Sequence, residues 1–241
     1  MKKKRILISF FILVIFVAGG AGFYINDYYR ASDEAAATFA SGEGLTDRVT
    51  VFRPAEAGRQ PEPIAGMIFY PGGKVEVSAY APLMEELAKE GVLCALVEMP
   101  ANLAVLDSDA ADGIRERFPE VERWYIGGHS LGGAMAASYA ADHGGELEGA
   151  ILLAAYSTKD LSDSGLDVVS IYGSEDQVLD REKYEEYRRN LPIDTIEFII
   201  RGGNHAQFGD YGPQDGDGEA MISGEEQIAI VVTAIEEFIN K

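Results

Sequence analysis

Residues 124–133 have the sequence WYIGGHSLGG, in which a short apolar run leads into glycines that flank a serine. The pattern Gly-x-Ser-x-Gly occupies Gly128, Ser130 and Gly132, and an Ala-rich stretch follows at 131–142. The apolar run predicts a strand and the Ala-rich stretch predicts a helix, so the serine falls at a sharp strand-to-helix turn. Glycine suits both flanking positions, because it removes side chains from a crowded and strained backbone.

Apolar runs alternate with helical patterns along the rest of the chain. Strands are predicted at 49–52, 67–70, 92–97, 124–126, 150–154, 168–172 and 195–200, and helices at 80–90, 109–117, 131–142, 181–190 and 224–240. This alternation predicts an α/β fold with a mostly parallel twisted sheet and helices on both faces. Ligands bind beyond the carboxyl ends of the strands in such sheets, so functional side chains are expected on the loops there.

Composition narrows the classes of protein and partner. The chain has 241 residues, 47% of them hydrophobic, which is enough for one core and one globular domain. Its formal net charge of -20 argues against nucleic acid as a partner, because that field repels phosphate backbones. Cys94 is the only cysteine, so a disulfide within the chain is impossible and a cysteine-ligated zinc site is not expected.

The N-terminal segment carries a membrane signal. Residues 6–25 contain no charged side chain, which matches the roughly 20 residues that cross a bilayer as a helix. Four basic residues precede them, so a single-pass signal anchor at 1–27 is predicted in the cell membrane, with the domain extracytoplasmic. Small residues at 18–22 leave a second interpretation open, a cleaved signal peptide and secretion. Residues 28–44 are predicted as a stalk and 45–241 as the catalytic domain.

A serine hydroxyl is a poor nucleophile until a base takes its proton, so a histidine partner is required. Of the three histidines, His129 lies beside Ser130 in the turn, where its side chain is expected to point away from the serine. His143 ends the Ala-rich helix, where a contact with the helix dipole explains it. His205 follows the predicted strand at 195–200 and is therefore predicted as the general base.

The histidine in turn needs a carboxylate that holds its tautomer and stabilises the imidazolium. Asp176 directly follows the predicted strand at 168–172 and gives the chain order serine, aspartate, histidine. Glu175 is the nearest rival and Asp180 a weaker one. Asp176 is predicted to orient the base.

An oxyanion hole requires two backbone N–H groups where charge develops on the substrate. The first is expected from Leu131, the residue after the predicted nucleophile. The second is expected from Gly73 or Lys74 in the loop at 71–74, although glycine there is equally consistent with an ordinary turn.

With these residues placed, the chain resembles the α/β-hydrolase superfamily, and within it the small bacterial branch of dienelactone hydrolase-like and esterase-like proteins. The resemblance runs from about residue 67 to the C-terminus and rests on Gly128-His129-Ser130-Leu131-Gly132, Asp176, His205 and Pro71-Gly72-Gly73. Dienelactone hydrolases have a cysteine nucleophile where this chain has Ser130, and many lipases and esterases have a histidine where this chain has Tyr70-Pro71.

The resemblance implies a carboxylesterase-like serine hydrolase that forms an acyl-enzyme intermediate. Acyl transfer, lactone cleavage or amide cleavage by the same triad, and a non-catalytic binding domain on this scaffold, are the alternatives. Only about 13 residues separate the predicted strands at 150–154 and 168–172, too few for a helical cap, which predicts an open pocket for a small-molecule or polymer-attached ester.

No cofactor and no metal are predicted. Calcium is the one ion that the acidic residues at 210–219 suggest. The stretch DGDGE at 215–219 does not fit an EF-hand loop, however, because it lacks the glycine at loop position six and the distal glutamate. This segment is predicted as a solvated loop.

Overall fold

The computed structural model describes Gly22, residues 26–55 and residues 61–241. Its centre is an eight-stranded sheet in the order β1-β2-β4-β3-β5-β6-β7-β8, in which the pairs β1–β2 and β2–β4 are antiparallel and the other pairs are parallel. The strands are β1 Glu43–Thr46, β2 Val49–Phe52, β3 Ala65–Tyr70, β4 Val92–Val97, β5 Trp124–His129, β6 Gly149–Leu153, β7 Asp167–Gly173 and β8 Ile196–Ile200.

Five α-helices of the described residues accompany the sheet, and they lie on both of its faces. Every residue of β3, β4, β5 and β6 is buried, because helices and turns cover these strands above and below. The mostly parallel sheet predicted from the alternating pattern is thus confirmed. The helices are α1 Asp33–Ser41, α2 Ala81–Lys89, α3 Leu131–His143, α4 Arg181–Tyr187 and α5 Gly224–Ile239.

One predicted helix is absent. Residues 109–117 form successive turns and end in a short 3₁₀ turn at Arg115–Arg117. Gly113 has a φ of +74°, which interrupts a right-handed helix in the middle of the segment. The helix prediction was therefore wrong, because the apolar residues of this segment pack on the core from a series of turns.

Residues 28–44, predicted as a stalk, pack against the domain in the structure. Tyr29 forms a parallel bridge with Val75, and its N–H donates to Lys74 O at 2.8 Å. In α1, Ala35 is fully buried and Phe39 packs on the core, and Ser32 caps the helix through its side chain. The sequence did not predict this packing, because alanine contributes little to an apolar pattern.

The predicted membrane segment at 1–27 lies almost entirely outside the described residues. Within the part of the chain that the structure describes, no helix is both long and apolar enough to cross a bilayer.

Candidate active site

Ser130 lies at the tip of the turn between β5 and α3. Its φ of 53° and ψ of -121° are strained values for a residue with a side chain. The Ser130 N–H donates to Leu153 O at 2.9 Å, and Ser130 O accepts from the Ala134 N–H at 3.0 Å. These bonds hold the turn from the neighbouring strand and from the first turn of the helix, so the half-buried hydroxyl lies beyond the carboxyl end of β5.

The flanking glycines allow this turn to approach the end of β3. A Cβ atom on Gly128 would lie 2.6 Å from Tyr70 O, and one on Gly132 would collide with the carbonyl oxygens of Tyr70 and Pro71. Because the obstructing atoms belong to the backbone, they cannot rotate away. The Gly-x-Ser-x-Gly pattern therefore brings the loop after β3 next to Ser130.

Asp176 and His205 form a buried hydrogen-bonded pair. His205 Nδ1 lies 2.9 Å from Asp176 Oδ2, and the two side chains are 2% and 0% exposed. Asp176 Oδ1 accepts from the N–H groups of Val178 and Leu179 at 2.9 and 2.8 Å. Since an ionised carboxylate only accepts, this contact assigns a proton to His205 Nδ1 and leaves Nε2 as an acceptor. Nε2 is buried and has no hydrogen-bond partner among the described residues, and no bond joins it to Ser130 there.

The two rival carboxylates are engaged elsewhere. Glu175 Oε1 accepts from the Ser174 hydroxyl at 2.8 Å. Asp180 Oδ1 caps α4 by accepting from the Lys183 N–H at 3.1 Å. Asp176 is therefore the carboxylate among the three that contacts His205.

The backbone before His205 is held by a buried amide. Gln227, on α5, is fully buried, and its Oε1 accepts from the Asn204 N–H at 3.0 Å. Its Nε2 donates to Asn204 O at 2.8 Å. The side chain thus pairs with both polar groups of one backbone residue, as a neighbouring strand would.

Asp217 holds the loops that carry Asp176 and His205. Its Oδ2 accepts from the Ala206 N–H at 2.8 Å, and its Oδ1 accepts from the Gln177 N–H at 3.3 Å. These donors belong to the residues that follow His205 and Asp176. The sequence interpretation placed Asp217 in a solvated loop and missed this role, because nothing in the local sequence identifies a contact 40 residues away.

Gly73 and Leu131, two of the three predicted oxyanion donors, are neighbours in the structure. A Cβ atom on Gly73 would lie only 2.9 Å from Leu131 Cδ2. Leu131 is the first residue of α3, where an N–H has no acceptor within the helix. The Lys74 N–H instead donates to Asn102 O at 2.8 Å, so it is not available to a substrate in this arrangement. Gly73 is the better candidate of the two loop residues.

A buried cluster that the sequence interpretation did not anticipate lies behind the base. His129 is 1% exposed, and its ring centroid lies 4.4 Å from that of His205 and 5.4 Å from that of Phe208. Its Nδ1 lies 2.8 Å from Tyr80 Oη, which also accepts from the Gly72 N–H at 3.0 Å. Burial, and after it the proximity of His205, lowers the pKa of His129 well below its ordinary value of 6.5, so the ring is neutral at neutral pH.

The predicted absence of a helical cap agrees with the loop between β6 and β7. Residues 154–166 contain turns and no helix. On the other side of the site, the segment after β4 contacts the oxyanion loop through the bond from Lys74 to Asn102. Val105 and Leu106, later in that segment, are apolar side chains that are 56% and 60% exposed.

A model of the alpha/beta hydrolase family matches residues 66–229, well over half of the chain. This span contains Ser130, Asp176 and His205. The chain belongs to the alpha/beta hydrolase family. The narrower dienelactone hydrolase-like branch stays a prediction. A search of curated proteins gives no match to the sequence.

Solved structures of hydrolases share the fold. Est1E from Butyrivibrio proteoclasticus is 16% identical with a TM-score of 0.59, and the alignment covers 80% of this chain and 94% of that one. A predicted CIB-like hydrolase from Thermoplasma acidophilum is 16% identical with a TM-score of 0.55, covering 78% and 93%. The thermophilic esterase Est2 from Thermogutta terrifontis is 16% identical with a TM-score of 0.52, covering 78% and 85%.

Proposed function

We propose that this α/β hydrolase is a serine carboxylesterase, with Ser130 as nucleophile, His205 as general base and Asp176 as the residue that orients the base. The observation that carries the proposal is the buried bond between His205 Nδ1 and Asp176 Oδ2. Such a bond leaves Nε2 as the proton acceptor, which is the state that a serine nucleophile requires. The His205 ring also contacts His129, the residue immediately before Ser130 and its strained backbone.

The proposed reaction has two acyl-transfer steps. Ser130 Oγ attacks the ester carbonyl carbon while His205 Nε2 takes the hydroxyl proton, and the oxyanion is bound by the N–H groups of Leu131 and Gly73. Collapse breaks the ester C–O bond, and the proton passes from His205 to the departing alcohol. Water then attacks the acyl-enzyme, again with His205 as base, and releases the carboxylic acid and the free serine.

The loop between β6 and β7 supports a substrate that needs an open site. Residues 154–166 contain turns and no helix, so no helical cap encloses the site there. Among the similar structures, Est1E is also known with ferulic acid bound, which adds aromatic esters to the candidates for this chain. We therefore propose small or polymer-attached carboxylic esters as substrates.

For localisation, we propose a single-pass anchor at residues 6–25 with the hydrolase domain outside the cell membrane. Support comes from the uncharged run and the four basic residues before it. Fractionation of cells that express the whole chain, followed by protease treatment of intact cells, tests this proposal. N-terminal sequencing of the recovered protein separates an anchor from a cleaved signal peptide.

The function is tested by labelling with a fluorescent fluorophosphonate and by turnover of p-nitrophenyl esters and methyl ferulate. Labelling and turnover should be lost in Ser130→Ala and His205→Ala and retained in the matched controls Ser164→Ala and His143→Ala. A folded wild-type protein that neither labels nor turns over any ester would contradict the proposal.

A further inference from the structure

The side chains of Tyr80 and His129 link the oxyanion loop to His205 through two hydrogen bonds and one contact between rings. Tyr80 is fully buried, and its hydroxyl oxygen accepts from the Gly72 N–H. The hydroxyl hydrogen needs an acceptor in this buried place, and among the described residues His129 Nδ1, at 2.8 Å, is the acceptor that contacts it. Tyr80 therefore donates to Nδ1, and His129 carries its own proton on Nε2.

The packing at Gly72 shows how closely these groups fit. A Cβ atom at residue 72 would lie 2.7 Å from Tyr80 Oη and 2.8 Å from His129 Nδ1. Only glycine leaves room for both the hydroxyl and the imidazole against the loop. Any shift of either ring would therefore be transmitted to the backbone immediately before Gly73, the expected oxyanion donor.

The other side of the His129 ring faces the base. The ring centroids of His129 and His205 are 4.4 Å apart, with an angle of 50° between the rings, and Phe208 stacks on His129 from the base loop. One side chain thus contacts both of the loops that the proposed reaction needs, the loop of the oxyanion donor and the loop of the base.

We propose that His129 is a positioning residue that, with Tyr80, holds the Gly72–Gly73 loop and His205 in a fixed relation to each other. This inference rests on the proposed esterase function. The neutral state of His129 supports it, because a second positive charge beside His205 would oppose formation of the imidazolium. The neutral ring therefore packs against His205 without repelling the positive charge that forms on the His205 imidazolium.

Neither residue touches the substrate in this proposal, so their removal should lower kcat and leave KM unchanged within about twofold. His129→Leu and Tyr80→Phe should each reduce kcat by roughly ten- to a hundredfold, since small displacements of a reacting group cost rates of that order. The double variant should be no slower than the slower single variant, because either substitution breaks the same link. His129→Asn should be faster than His129→Leu, since its side-chain oxygen can take the place of Nδ1 as acceptor from Tyr80, but slower than wild type, since it lacks the ring that contacts His205.

The experiment compares kcat and KM of these variants on a p-nitrophenyl ester, with thermal unfolding to verify that each variant folds. Tyr139→Phe is the matched control, because it also removes a tyrosine hydroxyl bonded to another side chain, the Asp112 carboxylate, and should leave kcat unchanged. If the effects of the two substitutions multiply, or if His129→Leu and His129→Asn are equally slow, the link is refuted and His129 only fills space. A wild-type protein without Ser130-dependent turnover would instead overturn the proposed esterase function itself, and this inference with it.

Discussion

Replacing Asp176 by asparagine tests the acid and base assignment most directly, because the structure determines which way the new amide must point. Asp176 Oδ1 accepts from two backbone N–H groups, those of Val178 and Leu179, while Oδ2 faces His205. An asparagine satisfies the backbone donors only with its oxygen toward them. Its NH₂ group then faces His205 Nδ1, which must give up its proton to act as an acceptor.

The size of the effect follows from the cost of the opposite orientation. Turning the amide over would leave the buried Leu179 N–H and the partly buried Val178 N–H without an acceptor, at about 1–3 kcal/mol each. The unproductive histidine tautomer is thus favoured by about 2–6 kcal/mol, and at about 1.4 kcal/mol per factor of ten this lowers the productive population by roughly 30-fold to 10⁴-fold. Loss of the carboxylate charge beside the imidazolium adds to this, so kcat should fall by at least about 10³-fold.

The assay is ester hydrolysis by Asp176→Asn at neutral pH, with thermal unfolding measured on the same sample. Glu175→Gln and Asp180→Asn are the matched controls, since each removes one carboxylate of the same loop region that does not contact His205. Both should retain at least half of the wild-type activity. A folded Asp176→Asn that loses less than tenfold in kcat would refute the reasoning, and a large loss in Glu175→Gln would move the role to that residue.

Three further predictions concern the surroundings of the pair. Asp217→Asn should lower the free energy of unfolding by about 1–2 kcal/mol and kcat several-fold, because a charged acceptor of backbone N–H groups is lost. Urea unfolding and ester turnover measure the two effects, and no change in either would show that the loops do not need Asp217. Gly132→Ala should cost about 3 kcal/mol or more and abolish turnover, whereas Gly145→Ala, whose added methyl group meets no atom within 4 Å, should be neutral in both measurements. Because the pKa of His129 is lowered in the folded protein, its neutral form stabilises the fold above pH 6.5, and that stability is lost as pH falls below 6.5. Between pH 6.5 and 5 the His129→Asn variant should therefore lose less stability than wild type, by up to about 1.4 kcal/mol per pH unit. Urea unfolding at several pH values, with His143→Asn as control, gives the free energy of unfolding. Equal slopes of that free energy against pH in wild type and His129→Asn would contradict the prediction.

Local signals were sufficient for the strands and for the position of the elbow. Apolar runs predicted the parallel strands to within a few residues, because all of them except the edge strand β8 are mostly buried on both faces. The helix predicted at 109–117 failed, since apolar spacing alone does not reveal that Gly113 adopts a positive φ. The short strand β1 was missed, because its four residues are mostly exposed and lack an apolar pattern.

The surroundings of the site depend on contacts that the sequence does not reveal. The choice between Gly73 and Lys74 turns on a hydrogen bond to Asn102, which comes from another loop. The contact of His129 with Tyr80 joins residues 49 positions apart, and the bond of Asp217 to Gln177 joins residues 40 positions apart. Each of these contacts depends on the strand order, which brings loops from separate parts of the chain to the same edge of the sheet.

The parallel bridge between Tyr29 and Val75 fixes the place where the N-terminal segment joins the domain. Val75 lies two residues beyond Gly73, so the chain joins the folded domain at the rim of the proposed catalytic site. A tether on the N-terminal side would keep this rim close to the surface that carries it, with only a few residues between them. An enzyme held in this way would meet esters that are embedded in or bound to that surface by lateral diffusion, and esters free in solution would have to enter through the gap beside the tether.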